Sequence, residues 1–242
     1  MKMQNRYTGD IGDYGKLGLL RILSSAGLTI GINWYLTPDE KHNEDGLHVK
    51  YLYEEEIRSC DDELWRELRS IVDSGNRKVS VLEEKRIIRA KYYSKVLDFS
   101  GMSKSQWIEY RKKWHREACS VLSGVDVVFV DPDNGIVVPS AEGRAKENKF
   151  VKPSELADYY AQGSSVIYYQ HKARRKDGFY TEQHKALIHS SGFDDSTGFV
   201  LKFRTTSQRY YLFILQNRHK GIIEGALRGM LSSPWRDHFC LL

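Results

Sequence analysis

Segments with the patterns of strands and of helices alternate along most of this chain of 242 residues. Apolar runs typical of buried strands lie at 28–36, 125–130 and 164–171, and amphipathic helical patterns lie before and between them. Strands separated by helices of ten or more residues form βαβ units, whose strands are parallel. The alternation therefore predicts an α/β fold with three layers, in which a doubly wound, mainly parallel sheet lies between two layers of helices.

The C-terminal part departs from this alternation. Two segments rich in β-branched and aromatic residues, at 198–206 and 209–217, follow each other with almost no residues between them. Such a short connection has no room for a crossover helix, so the two strands must pair antiparallel. We expect about seven strands, with this hairpin at the C-terminal end, in a single domain that spans residues 1–242. A further short strand is predicted at 78–84 (KVSVLEE).

Composition and charge limit the partners of the chain. The longest apolar runs, such as YYLFIL, are far shorter than the roughly 20 residues of a membrane span. The N-terminus is polar, so we expect a cytoplasmic protein without a membrane partner. The three cysteines show no CxxC spacing, which argues against a zinc or disulfide framework. Basic and aromatic residues cluster at 110–116 and 171–176. Such clusters are typical of solvated helix faces and also of phosphate-binding surfaces, so we expect nucleic acid as a partner.

Polar residues follow four of the predicted strands at the point where each strand ends. In doubly wound sheets, ligands bind outside the carboxyl ends of the strands, near the point where the strand order reverses. Asp and Asn also occur at such ends because they bond their own backbone, but four clusters on one edge predict an active site. The clusters are Pro38-Asp39-Glu40, Glu83-Glu84, Asp131-Pro132-Asp133-Asn134-Gly135 and Gln170-His171.

The predicted topology resembles the Rossmann architecture of class I methyltransferases. The sequence DPDNG (131–135) resembles the Asp-Pro-Pro-Tyr type of motif that amino-group methyltransferases carry at the end of their fourth strand. This resemblance implies an enzyme that modifies the exocyclic amine of a nucleic-acid base, with S-adenosylmethionine as its cofactor. It places Asp131, Asp133 and Asn134 at the reacting amine.

Four residues are candidates for binding this cofactor. Glu83, at the end of the second predicted strand, matches the place of the acidic residue that binds the adenosine ribose in methyltransferases. The GxG-type loop that usually follows the first strand is missing, and only Gly46 is present in that part of the chain. Asp39 and Asp10 complete the candidates.

The DPDNG turn also supports a second hypothesis. Carboxylate and amide oxygens are the ligands that Mg²⁺ prefers, so Asp131 and Asp133 are candidate metal ligands, with Glu83 as a third. The chain would then be a metal-dependent nuclease or phosphodiesterase, assisted by His171 or Lys172. A third hypothesis is a nucleic-acid-binding module without catalysis. The dense carboxylate edge argues against it, because a phosphate binder gains nothing from carboxylates in its cleft.

Candidate substrate-binding residues lie in two segments. The N-terminal NRYTGDIGDYGK carries Arg6, Tyr7 and Lys16, together with glycines at a spacing of three that suit an anion site at a helix N-terminus. His171 ends the strand at 164–171 and is a candidate general base or metal ligand. The neighbouring substrate-binding candidates are Gln170, Lys172, Arg174 and Arg175.

A closer resemblance covers nearly the whole chain. The motifs NRYxGDxxDYxKxGLLR, WxLTPDExxNxDG, FxDPDNG and YQH resemble those of a family of uncharacterised bacterial and phage proteins. The resemblance implies that these segments form one site, and it brings no reaction with it.

Asp131→Asn is predicted to abolish activity and to leave stability equal or slightly higher, because it removes an unpaired charge. The residues predicted to lie around one cleft are Asp10, Glu83, Asp131, Asp133, Asn134 and His171.

Overall fold

The computed structural model of the protein describes residues 5–39, 48–191, 193, 198–205 and 208–242. These residues form seven α-helices and seven strands. The helices are α1 (Ile11–Ser25), α2 (Asp62–Asp73), α3 (Val79–Glu84), α4 (Lys104–Val121), α5 (Pro153–Ala161), α6 (Asp177–Ser190) and α7 (Asn217–Leu231). The strands are β1 (Ile30–Asn33), β2 (Ala90–Tyr93), β3 (Val127–Val130), β4 (Ser165–His171), β5 (Phe199–Phe203), β6 (Arg209–Ile214) and β7 (Phe239–Leu241). No helix in these ranges has the length and apolar character that crossing a membrane requires.

The seven strands form one sheet in the order β2-β1-β3-β4-β6-β5-β7. β1 pairs in parallel with β2 and β3, and β3 pairs in parallel with β4. β6 pairs antiparallel with both β4 and β5, so β5 runs in the same direction as β4, and β7 pairs antiparallel with β5. The sheet is therefore mixed and mostly parallel. The antiparallel pairing of β5 with β6 confirms the prediction from their short connection.

Successive side chains of β3 enter two separate hydrophobic cores. Val127 and Phe129 belong to the core that includes residues of α1, α2 and α7. Val128 and Val130 belong to the core that includes residues of α4, α5 and α6. Side chains alternate between the two faces of a strand, and a strand covered on both faces is apolar at nearly every position. This burial explains the continuous apolar run that precedes Asp131.

Side-chain caps fix where three helices begin. Asp10 caps α1 by accepting a hydrogen bond from Asp13 N, and Asp61 caps α2 in the same way. Ser103 begins α4 with a capping box. Each cap satisfies a backbone N–H that the first turn of a helix leaves without a partner, and contributes about 1 kcal/mol.

The strand predicted at 78–84 is wrong, because these residues form the helix α3. Val79, Val81 and Leu82 are buried, and so short an apolar pattern fits the period of a strand as well as that of a helix. The strand in this part of the chain is β2, which follows α3 and lies half-exposed at one edge of the sheet. The opposite edge is β7, which the sequence pattern did not indicate.

Candidate active site

A small polar cavity lies at the carboxyl end of β3. Asp131 follows β3 directly, and its backbone N–H donates to Asn33 O at the end of β1 (2.9 Å). The cavity has a volume of about 30 Å³, which is room for about one water molecule. Three residues of the predicted cleft, Asp10, Asp131 and Asp133, share it. The complete lining is Tyr7, Asp10, Gly12, Asp13, Lys16, Asp131, Pro132, Asp133, Tyr169 and Arg209.

A buried lysine forms an ion pair with Asp131. Lys16 Nζ donates to Asp131 Oδ2 (2.5 Å) and to Asp13 Oδ1 (2.9 Å), and it lies 5.4 Å from the centre of the Trp34 ring. Burial raises the pKa of Asp131 to about 6, against the opposing effect of Lys16. Burial also disfavours the charge of Lys16, but Asp13 and Asp131 outweigh burial and hold the pKa of Lys16 above its usual range. The expectation that Asp131 is unpaired is therefore wrong.

A second ion pair lies beside the first. Arg209 Nη2 donates to Asp10 Oδ2 (3.3 Å), and Asp10 Oδ1 accepts the Asp13 N–H (3.0 Å). Gly12 makes this contact feasible, because a Cβ atom at that position would lie 2.3 Å from the guanidinium carbon of Arg209. Arg209 and Asp10 are each 2% exposed, so this pair connects the N-terminus of α1 to the sheet in the protein interior.

The chain's own carboxylates occupy the N-terminus of α1. Asp13 Oδ2 accepts the Gly9 N–H (3.0 Å), while Asp10 takes the Asp13 N–H. The glycines allow close packing: a Cβ atom at Gly15 would lie 2.7 Å from the Phe203 ring. Gly12 and Gly15 thus allow contact between α1 and the sheet, whereas a Cβ atom at Gly9 would lie 2.7 Å from Val72 of α2. The anion site predicted at this N-terminus is filled by Asp10 and Asp13.

Carboxylates outnumber cations around the cavity. The lining contains two basic residues, Lys16 and Arg209, against four acidic ones. Each of these six side chains belongs to a residue that is 4% exposed or less. The acidic residues are Asp10, Asp13, Asp131 and Asp133. A buried site with this composition favours a ligand that donates hydrogen bonds or carries positive charge.

The DPDNG turn is held in one conformation by Gln170. Gln170 Oε1 accepts the Ile136 N–H (3.0 Å), and Gln170 Nε2 donates to Asn134 O (3.0 Å). Gly135 has a φ of 88°, and a Cβ atom there would lie 2.0 Å from Gln170 Oε1. The contacts of Gln170, predicted to bind substrate, are thus with the turn that carries Asp131.

Glu83 reaches the carboxyl ends of β1 and β2 from α3. Its Oε1 accepts hydrogen bonds from Trp34 Nε1 (2.9 Å) and from the Ser94 hydroxyl. Trp34 is also the ring beside Lys16 Nζ, so a single indole separates Glu83 from the Lys16–Asp131 pair. Glu83 does not line the cavity itself.

The other predicted site residues that the structure describes do not line the cavity, and some of them contact residues that do. Arg6 donates to the hydroxyl of Tyr7 (3.2 Å), which lines the cavity. His171 pairs with Arg209 in the β4–β6 register but is not among the lining residues. Asn134 is half-buried, and its backbone N–H donates to Lys149 O (2.9 Å). Asp39 is exposed, and Gly46 lies outside the described residues.

A basic loop follows β4 at the same edge of the sheet. Lys172 Nζ donates to Asp177 Oδ1 (3.0 Å) and to Gln208 Oε1 (2.6 Å). Arg174 and Arg175 are exposed, and the Arg175 guanidinium lies 5.4 Å from the centre of the Phe179 ring. Since Gln170 at the end of β4 holds the DPDNG turn, this loop begins next to the site.

Arg209 and Tyr169 also line the cavity, although the sequence pattern did not indicate them. Arg209 begins the apolar strand β6 and is fully buried there. An arginine at the start of an apolar strand is a signal for a buried ion pair, but the pattern does not identify its partner, which lies 199 residues earlier in the chain.

The two cofactors suggested by the sequence fit the described residues to different degrees. No group of three or more His, Cys, Asp or Glu side chains in the described ranges is arranged to hold a metal ion, and an ammonium already contacts Asp131. For S-adenosylmethionine, the acidic candidate Glu83 lies on the helix α3 and not at the end of the second strand, where the sequence predicted it. The glycine turn after β1 does not fit, because the buried residues Trp34 and Tyr35 stand in its place.

Comparisons with known proteins give a likeness at the level of structure. No family model matches the chain, and no curated protein matches it. Among solved structures, it is similar to a protein of the family model DUF519 from Legionella pneumophila str. Philadelphia 1, with 12% sequence identity and a TM-score of 0.46. The match covers 97% of this chain and 96% of that one.

Proposed function

We propose that this protein is an enzyme that modifies nucleic acid by transferring a methyl group to the exocyclic amine of a base. The observation that carries the proposal is the environment of Asp131. This carboxylate lies in a cavity at the carboxyl end of a central parallel strand, where ligands bind in sheets of this kind. It is buried, its pKa is raised to about 6, and the turn that presents it is fixed by Gln170.

Asp131 has the properties that an amine substrate requires. The amine nitrogen gains a carbon and loses a proton during methylation, so a neighbouring acceptor must hold an N–H and then take up the proton. A base works best when its pKa lies near the working pH, and the raised pKa of Asp131 meets this condition. Lys16 keeps the carboxylate charged before the reaction, because it holds Oδ2 at 2.5 Å.

Nucleic acid is proposed as the substrate because of the loop after β4. Arg174 and Arg175 are exposed at the edge of the sheet that carries Asp131, and Phe179 beside them is 47% exposed. Exposed cations bind phosphates, and an exposed aromatic ring stacks on bases. The mostly parallel sheet with its antiparallel β5–β6 pair adds support from the resemblance to class I methyltransferases.

Glu83 is the residue proposed to contact the methyl donor. S-adenosylmethionine would supply the methyl group, and the position of Glu83 across the ends of β1 and β2 suits a ribose hydroxyl. Trp34 and Tyr35 replace the glycine turn that usually approaches such a donor. No step of the reaction is therefore derived from the position of the donor.

The proposal is tested by methyl incorporation. The purified protein is incubated with S-adenosylmethionine carrying a labelled methyl group and with total bacterial RNA or genomic DNA, and the nucleic acid is digested to nucleosides for mass spectrometry. We expect label on an amino group of one base. Asp237→Asn, at an exposed aspartate, should retain this activity. Label on a ring carbon or a sugar, or no label in either nucleic acid, would overturn the proposal.

A further inference from the structure

A large groove lies between α4 and α5, on the sheet face opposite to α1. Its volume is about 830 Å³, within the range of roughly 300–1,000 Å³ typical of small-molecule sites. The groove and the cavity at Asp131 have no lining residue in common. It is therefore a separate candidate binding site, which the reaction proposed above does not use.

One wall of the groove is a row of side chains along α4. Ile108, Lys112 and Arg116 line the groove, and Lys104 precedes them by one helical turn. Residues four apart lie on the same face of a helix, and all four residues are exposed. Three of the four carry a positive charge. The row thus presents cations to any ligand in the groove.

The positive charges of Lys112 and Arg116 are only weakly compensated by ion pairs. Lys112 pairs with Glu109 at 2.8 Å, where both side chains are more than half exposed, and such pairs are weak. Arg116 has no carboxylate within ion-pair distance in the part of the chain that the structure describes. The row is therefore available to an anionic ligand.

Two of the four carboxylates that line the groove pair with a permanent cation. Arg111 donates to both carboxylate oxygens of Glu155, at 2.7 and 2.8 Å. Lys152 pairs with Glu147 (2.5 Å). Among the lining residues, this leaves the exposed Glu142 and Asp158 as the acids that oppose Lys112 and Arg116.

The floor of the groove carries an aromatic side chain with an unused donor. Trp107 lines the groove and packs edge-on against Phe99, with ring centroids 4.8 Å apart. Trp107 Nε1 and His115 Nδ1 are buried and have no hydrogen-bond partner among the described residues. Buried polar atoms without partners are rare in folded proteins. An apolar floor with one unused N–H and one unused imidazole nitrogen suits a planar heterocycle that offers both acceptors and donors.

We propose that this groove binds a nucleotide, with the base at Trp107 and the phosphate at the row of Lys112 and Arg116. The nucleotide is either a free molecule or one residue of a single-stranded nucleic acid. Both present the same base and phosphate, and they differ in whether the chain continues beyond the groove.

Binding is measured by isothermal titration calorimetry with the full chain. The ligands are AMP, CMP, GMP and UMP, ribose 5-phosphate without a base, inorganic phosphate, and single-stranded RNA and DNA oligonucleotides of mixed sequence. We expect at least one monophosphate or oligonucleotide to bind at least tenfold more tightly than ribose 5-phosphate. If the ligand is a free nucleotide, monophosphates should bind as tightly as oligonucleotides. If the ligand is a nucleic-acid strand, oligonucleotides should bind more tightly than monophosphates. Equal binding of ribose 5-phosphate, or no nucleotide binding, would overturn the proposal.

Five variants locate the binding. Lys112→Glu with Arg116→Glu should weaken nucleotide binding at least tenfold, while the matched exposed pair Lys185→Glu with Arg228→Glu should leave it unchanged. Trp107→Phe keeps an aromatic ring and removes the N–H, and should weaken binding about fivefold. Arg174→Ala with Arg175→Ala should leave monophosphate binding unchanged. Normal binding by the Lys112/Arg116 variant would place the nucleotide elsewhere. Asp131→Asn should bind normally, so a failed methyl-transfer test does not decide this proposal.

Discussion

The cavity at Asp131 and the groove between α4 and α5 differ in how their charged side chains are paired and exposed. The cavity of about 30 Å³ keeps its charges in buried ion pairs, with Lys16 and Arg209 placed among four buried carboxylates. The groove of about 830 Å³ pairs Glu155 with Arg111 and leaves Lys112 and Arg116 facing solvent. The first arrangement is suited to act on one small polar group, and the second to hold a larger anionic ligand.

The largest effect is expected when the cation of the cavity is removed. Lys16→Met leaves Asp13 and Asp131 buried without the ammonium that both contact, and removing one partner from a buried ion pair costs about 3–5 kcal/mol of unfolding free energy. The loss should shrink at low pH, where the carboxylates take up protons. Urea denaturation at pH 7 and pH 5 measures both values.

The control for Lys16→Met is an exposed lysine of similar length. Lys185→Met, on α6, removes a lysine whose side chain is 67% exposed, and should change the unfolding free energy by less than about 0.5 kcal/mol. If Lys16→Met loses less than about 1 kcal/mol at pH 7, the ion pairs do not organise the cavity, and the contrast with the groove disappears.

Titration of Asp131 should make the unfolding free energy of the protein depend on pH. Its pKa is about 6 in the folded protein and about 4 in an unfolded chain, so the folded state binds this proton more tightly. The resulting stabilisation is present below about pH 4 and is lost as the pH rises through about 6, by up to about 3 kcal/mol. Asp131→Asn removes it, so the difference in unfolding free energy between the wild type and this variant should change over that interval. A flat difference would show that Asp131 has an ordinary pKa.

A smaller effect is expected from the turn that presents Asp131. Gly135→Ala must adopt a positive φ and must also displace Gln170, whereas Gly101→Ala has a positive φ of 74° with no atom near the new Cβ. We expect Gly101→Ala to cost about 1–2 kcal/mol for its conformation alone. Gly135→Ala should cost at least about 1 kcal/mol more because of the crowding. Equal losses, measured by thermal melting of both variants, would show that Gln170 does not clamp the turn.

The parts of the fold that the sequence predicts well are those set by local rules. The antiparallel β5–β6 pair follows from the length of one connection, and the apolar run of β3 identifies a strand covered on both faces. The strand predicted at 78–84 is wrong because so short a segment fits the period of a strand as well as that of a helix. The burial of Val79 and Leu82 in α3 decides for the helix. The edge strands β2 and β7 are short and partly exposed, so their patterns are weak.

For the candidate site, the positions of the strand ends in the sequence predict which side chains lie near one another. They do not predict which side chains form ion pairs. The placement of Asp131 after β3 and the motif around Asp10 suffice to bring both to one cavity. The pairing of Lys16 with Asp131 and of Arg209 with Asp10 depends on the packing of α1 across the sheet, over separations of 115 and 199 residues. For the groove, the basic and aromatic cluster at 110–116 indicates one wall only. The rest of its lining comes from α5, from Phe99 and from the segment between β3 and α5, which no sequence pattern connects.

The most direct test of the account is methyl transfer by Asp131→Asn, measured in the same preparation as its stability. Asparagine keeps the shape of the side chain and its hydrogen bond with Lys16, but cannot take up the proton of the amine. We predict that label transfer to nucleic acid falls at least about a hundredfold, the lower end of the contribution of a general base, while the variant stays folded at the assay temperature, because Asp13 still pairs with Lys16. A variant that transfers label at the wild-type rate, or that loses activity only because it unfolds, would contradict the role assigned to Asp131.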